Sequence, residues 1–237
     1  MKIIFSFLFV TLAVTGAVGQ QASYFDPAQA YNKLLVEKNN GNYYQISNYK
    51  VTGTPFLFGE KNNGNIYSPN ETAYNIYLSY NIYDQNLDFY STANPNTPLV
   101  KDPGTLDSFL LKRKPGTGLE KDILFVYGPT VLGSKDKAYY QVVSKGGNVN
   151  LYKRYTGELG IVGTNYIQSE LRQFNVLVDY FYTDSTGKGL KKLKVNPASI
   201  KKEFASIKDL SGYIDADLLT TAREQELTKL FTELNRQ

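Results

Sequence analysis

The side chains here that could do chemistry are few in kind. The chain has no histidine and no cysteine. That excludes a Ser-His-Asp triad, a cysteine nucleophile, a zinc or copper site of the usual nitrogen or sulfur type, and an iron–sulfur cluster. Carboxylates, lysine, serine, threonine and tyrosine remain, with an oxygen-ligated calcium or magnesium ion as the surviving metal chemistry. Asp179 is the least implausible acid. In FNVLVDYFY it shares a strand face with Leu177 and Phe181, and a carboxylate on an apolar face has the raised pKa that a general acid needs. Pairing with Lys191, Lys192 or Lys194 on a neighbouring strand is the plainer reading and the preferred one.

Other constellations read as structure. Ser185-Thr186-Gly187-Lys188 has the Ser-x-x-Lys spacing of penicillin-recognising enzymes. That chemistry needs the serine at a helix start and further elements downstream, whereas these four residues look like a β-turn. Asp84/Asp88 and Asp215/Asp217 have the composition of glycosidase carboxylate pairs, but bracket a turn and lie at helix ends, so capping is expected. EKNNGNYY at Glu37–Tyr44 recurs as EKNNGNIY at Glu60–Tyr67. Each copy offers a single acid, too few for a calcium loop, and the flanks diverge at once, so this is turn chemistry used twice rather than a repeat array. Seven lysines against one acid, Glu203, between Lys188 and Lys208 suit an anionic partner, and equally a solvated strand edge and helix face, which is preferred. Tyr77 and Tyr83 with their interleaved amides could form a flat surface for sugar rings or peptides. The absence of tryptophan counts against a glycan specialist, and a half-covered sheet face is the plainer account. No catalytic, cofactor-binding or metal-binding residue is assigned, and no cofactor is expected.

The elements that must position these residues follow from periodicity. Asp26-Pro27 begins a helix through Lys38, closed at Asn39-Asn40-Gly41, and Asn63-Gly64 makes a tight turn between extended segments. Tyr74, Ile76, Leu78, Tyr80 and Ile82 alternate with Asn75, Tyr77, Ser79, Asn81 and Tyr83, predicting a two-faced strand that turns at Asp84-Gln85-Asn86. Short strands follow at Ser108–Lys112 and Ile123–Tyr127. A hairpin pairs Ala138–Ser144 with Val149–Tyr155 across Lys145-Gly146-Gly147-Asn148, and another pairs Phe174–Thr183 with Gly189–Val195. The period then changes: Asn196-Pro197 starts a helix carrying Ile200, Phe204 and Ile207. Thr221-Ala222-Arg223-Glu224 reads as a capping box before the stripe Leu227, Leu230, Phe231 and Leu234. The expected fold class is α+β: an antiparallel β-sheet, sandwich or open barrel, with short C-terminal helices packed on it.

At the N-terminus, Lys2, the apolar run Ile3–Val14 and the small residues Ala17-Val18-Gly19 have the order of a secretory signal peptide, with cleavage expected after Gly19. The organisation expected is therefore residues 1–19 as signal peptide, 20–196 as an N-terminal helix plus β-rich body, and 197–237 as a helical segment of the same domain, with no transmembrane segment after cleavage. A cysteine-free exported chain cannot rely on disulfides, and this length suffices for a core to carry stability. The net charge of +4 is too small to argue for nucleic acid.

The run from Tyr49 to Leu57, then LSYNIYDQNLDF, YYQVVSKGGNVNLYKRY, FYTDSTGKGLKKLK and a helical tail resembles, in order and spacing, a group of uncharacterised secreted β-rich proteins of Bacteroidota. The resemblance implies a secreted or periplasmic bacterial protein and supplies no catalytic residue. The function expected is a non-enzymatic interaction or structural module of the cell envelope, with a macromolecule of that envelope, protein or glycan, as partner. The alternative is a carboxylate-dependent hydrolase of envelope polymers. An outer-membrane barrel conflicts with the charged helical tail.

Overall fold

Alternating apolar and polar residues make strands, and in this protein nearly all of them join edge to edge. A computed structural model describes residues 44–46, 49–90, 97–101, 104–161 and 171–236; the expected signal peptide and the expected helix from Asp26 to Lys38 lie outside them. The strands are β1 (Tyr44–Ile46), β2 (Tyr49–Thr52), β3 (Phe56–Tyr67), β4 (Thr72–Asn81), β5 (Asn86–Tyr90), β6 (Pro98–Lys101), β7 (Ser108–Leu111), β8 (Ile123–Tyr127), β9 (Tyr139–Ser144), β10 (Val149–Ile161), β11 (Leu171–Asp184) and β12 (Lys191–Lys192). Their order is β1-β2-β11-β10-β9-β8-β7-β3-β4-β5-β6, with β12 on the flank of β11. The sheet is antiparallel except where β2 runs parallel to β11. It is a large mixed sheet, not closed, with short C-terminal helices, as the α+β reading expected.

The sheet curls so that its own inner face makes the first core. Tyr80 on β4 meets Phe109, Phe125 and Tyr139 at ring separations of 5.3, 5.2 and 6.0 Å. Curling brings the end of β4 against β10, five strands away along the sheet: Gly157 donates its N–H to the Ile82 carbonyl at 2.7 Å. Gln85, buried and in a left-handed conformation, reinforces this seam. Its amide donates to the carbonyls of Ile82 and Tyr155 at 2.7 and 3.0 Å and accepts from the Tyr80 hydroxyl at 2.8 Å.

The same face continues along β10 and β11 into a second core, covered by helices α1 (Pro197–Phe204), α2 (Ala216–Thr221) and α3 (Arg223–Asn235). Leu227, Leu230, Phe231 and Leu234 form the buried stripe of α3 against Val149, Leu151, Tyr180 and Tyr182. Asn235 then pairs with the start of β10 as a strand residue would, accepting from Val149 N–H and donating to its carbonyl, both at 2.9 Å. On the opposite face Val126, Tyr140, Tyr152 and Phe181 pack under the π-helical turn Gly128–Leu132. No helix among the described residues is long and apolar enough to cross a membrane.

Several local expectations are corrected. Asn63-Gly64 is not a turn but the interior of β3, where a side chain at Gly64 would sit 2.2 Å from the Leu110 carbonyl oxygen. The conformational irregularity falls earlier, as a bulge between Leu57 and Asn62 with Phe58, Gly59 and Lys61 at positive φ. The Phe174–Thr183 strand does pair with the Gly189–Val195 segment, but over a short stretch, β12 and the Leu193 N–H to the Tyr180 carbonyl, and its long partner is β10. Asn196 caps α1, accepting from Ser199 N–H at 2.9 Å, while Ile207 lies beyond that helix and is exposed. Thr221 makes no capping box. It ends α2, donating back to the Asp217 carbonyl, and α3 begins with no side-chain cap.

Candidate functional site

Of the acids singled out for chemistry, Asp84, Asp179 and Asp215 are engaged structurally. Asp179 lies 2.8 Å from Lys192, on the neighbouring β12 as the plainer reading expected, and both side chains are about half exposed. Asp215 is the N-cap of α2, accepting from the amides of Asp217 and Leu218 at 3.0 Å. Asp84 accepts from Asn81 at 3.1 Å beside the β4–β5 turn. Asp88 departs from expectation in position: it lies fully buried within β5, opposite Ser79. Among the described residues no group of three potential ligands could hold a metal ion. The first copy of the repeat, apart from Tyr44, lies outside the described residues, and Glu60 of the second sits within β3.

Ser185-Thr186-Gly187-Lys188 is a turn following β11. Asp184 organises it, accepting from the amide and the hydroxyl of Thr186, and these bonds hold its carboxyl below the usual carboxylate range. With the Lys145-Gly146-Gly147 turn it borders a shallow pocket of about 340 Å³. The Asn150 side chain at its base is satisfied by the chain itself, accepting from Gly146 N–H and donating to Thr183 and to the Asp184 carbonyl at 3.0 to 3.1 Å. The lysine-rich stretch is partly committed too: Lys208 binds Glu233 at 3.4 Å and Lys192 binds Asp179, while Lys188, Lys194, Lys201 and Lys202 are exposed.

The tyrosine surface is rearranged from the expected one. Ser79 and Asn81 are fully buried. Asn81 accepts from the amides of Tyr83 and Asp84 at 2.9 and 3.1 Å to shape the turn, and Ser79 accepts from Lys61 N–H at 2.9 Å. Tyr83 packs edge-on against Phe174 at 5.8 Å. Tyr77, by contrast, is 54% exposed and is joined by Tyr74, 64% exposed. Strict alternation puts Tyr74 inside. A bulge puts it outside: Ile76 pairs with Gly64 but Ala73 pairs with Ile66, so both Tyr74 and Asn75 stand opposite Asn65 on the outer face. Asn75 takes the required left-handed conformation at φ 56°, which asparagine tolerates better than most residues. It is held there by Asn65, which accepts its N–H at 3.1 Å, and by Lys112, which donates to its side chain.

Cross-strand neighbours share a face, so Asn63 and Tyr90, which flank Tyr77 on β3 and β5, complete the patch. Lys61 sits over the Tyr90 ring at 5.0 Å, and burial raises the Tyr90 phenol above its ordinary pKa. The arrangement offers two exposed rings on β4 with an amide and a cation on the adjacent β3. That suits stacking and hydrogen bonding to a partner. No family model matches the chain, and neither does any curated protein or solved structure.

Proposed function

We propose that the chain is exported as a non-enzymatic interaction module of a bacterial cell envelope, and that the outer β3–β4–β5 face, led by Tyr74 and Tyr77, holds a macromolecule there, protein or glycan. The observation that carries this reading is the bulge at Asn75, which puts two tyrosines of more than half exposure on the same outer face where alternation alone would turn one inward. Rigid aromatic rings give large contact area at low entropic cost. Export is supported by the basic, apolar and small-residue order of residues 1–19 and by the resemblance to secreted β-rich proteins. Action by contact is supported by the absence of histidine and cysteine and by the structural engagement of Asp84, Asp179 and Asp215.

The test is co-sedimentation of the purified protein with washed bacterial envelopes. Replacing both tyrosines by alanine (Y74A, Y77A) is expected to weaken retention about tenfold or more, as truncation of a well-placed aromatic contact does, with the circular dichroism spectrum unchanged because both side chains are exposed. Equal retention of the double variant, or turnover of an envelope polymer that disappears on changing a single aspartate, would overturn the reading.

A further inference from the structure

The long strand β11 has a gap along one edge. On one side β10 pairs with it throughout. On the other, β2 covers Leu171–Gln173 and β12 covers Phe181–Tyr182, extended by the Leu193 N–H to the Tyr180 carbonyl at 2.8 Å. Among the described residues no strand pairs with the intervening segment 175–179 on this side. At about 3.3 Å per residue the opening is about 16 Å long.

Which backbone groups face the opening follows from neighbouring bonds. In an antiparallel ladder the N–H and C=O of one residue point to the same side, and successive residues alternate. The Tyr180 carbonyl points outward, to Leu193, so Val178 and Val176 also turn their N–H and C=O outward. The seam gives the same answer independently. Gly157, opposite Val176, donates its N–H away from β11 to Ile82, so that pair exchanges no hydrogen bonds. Around these groups Val176, Leu177 and Val178 are 51%, 48% and 36% exposed, the valines on one face and Leu177 on the other. Natural sheets blunt such edges with proline, bulges or inward charges. Here none of these interrupts the segment, and Asp179 at its end is matched by Lys192.

We propose that this opening is a strand-addition site for a short extended peptide of a partner protein, apolar at alternate positions and acidic at the end beside β12. The backbone of Val176 and Val178 offers four hydrogen bonds to such a strand, and their side chains with Leu177 flank it above and below. Lys192, paired with Asp179, and the exposed Lys194 stand at the end of β12 that borders the opening, with Lys191 one residue further along, and this net positive end favours an acidic peptide terminus. The same edge of a second copy does not fit. β2 and β12 each stand one strand spacing, about 4.8 Å, in front of the β11 edge, so two recessed edges cannot meet. This site lies apart from the Tyr74–Tyr77 face and does not rest on it.

The test is amide hydrogen exchange followed by NMR on the purified protein with two synthetic peptides of alternating valine and threonine, one ending in glutamates and one in lysines. The glutamate peptide is expected to slow the Val176 and Val178 amides about tenfold or more, leaving the Leu177 amide, directed to β10, unchanged, and to bind more tightly than the lysine peptide. V176P removes one outward N–H without touching the β10 ladder and is expected to abolish binding. V176D, which keeps the backbone intact, is expected to weaken the glutamate peptide more than the lysine one, and it carries the test if the proline variant does not fold. Three results would overturn the proposal: Val176 and Val178 amides already slow before any peptide is added, meaning that the chain itself or a second copy fills the gap; unchanged binding to the folded variants; or preference for the lysine peptide.

Discussion

Replacing Gly157 by alanine attacks the seam between β10 and the end of β4. A Cβ at this position would lie 2.9 Å from both Cα and N of Tyr83 and 3.0 Å from its Cβ. These are mainly backbone atoms in a turn already fixed by Asn81 and Gln85, so they cannot swing aside as a flexible side chain would. β10 must withdraw by several tenths of an ångström, which stretches the 2.7 Å bond from Gly157 to Ile82 and loads the neighbouring bond from Gln85 to Tyr155. The lost bond is worth about 1 kcal/mol and the forced overpacking about 1 to 3 kcal/mol. Against this, alanine restricts the unfolded chain and returns roughly 0.4 to 1 kcal/mol. The net expectation is a destabilisation of about 1 to 3.5 kcal/mol, read as a lower urea midpoint at unchanged slope. Gly212 is the control: a methyl group there would meet nothing within 4 Å, and its φ is not positive, so G212A should be neutral or slightly stabilising. If G157A unfolds within about 0.5 kcal/mol of the parent, or if G212A costs as much, the curled seam is not what the geometry says it is.

Three further outcomes are expected. Glu226 has a fully buried side chain that accepts the Asp215 N–H at 2.9 Å and Lys229 at 3.1 Å, tying the loop before α2 to α3. Because Lys229 is half exposed and returns to water, E226A should cost about 2 to 3 kcal/mol, chiefly for the stranded amide and the void, and E226Q, which still accepts that amide, about half as much in the same urea titration. Burial raises the phenols of Tyr80 and Tyr139 far above their ordinary pKa of 10.0. Their contribution is therefore complete below pH 10 and lost as pH rises beyond it, at about 1.4 kcal/mol per unit for each. Stability should fall by roughly 3 kcal/mol per pH unit from this pair, with tyrosinate absorbance from both appearing only on unfolding; a flat urea midpoint above pH 10 would contradict it. Finally, N196A should lower stability by about 1 kcal/mol through the lost cap of α1, whereas T221A should change it by less than about 0.5 kcal/mol, since Thr221 caps nothing.

Elements whose signal is local were legible along the chain. Alternation in YNIYLSYNIY and in the two runs flanking Lys145-Gly146-Gly147-Asn148 made β4, β9 and β10, and the cap at Asn196 and the stripe of α3 were legible in the same way, because side-chain period and capping chemistry act within a few residues. The pairing of Asp179 with Lys192 was readable as one of three lysine options on the neighbouring strand. The removal of imidazole and thiol chemistry needed only the composition. How far each strand runs and which way its side chains turn emerged only from the folded pairing. Asn63-Gly64 has turn chemistry, yet pairing with both β4 and β7 holds it extended. Tyr74 obeys its alternation until the register against β3 inserts one residue and moves it to the outer face. The parallel contact of β2 with β11, the seam at Gly157 and the uncovered backbone of Val176 and Val178 depend on partners distant in the chain or on the other side of the curl. A hydrogen-bond ladder is specified by both of its edges, and one strand read alone reports only its own.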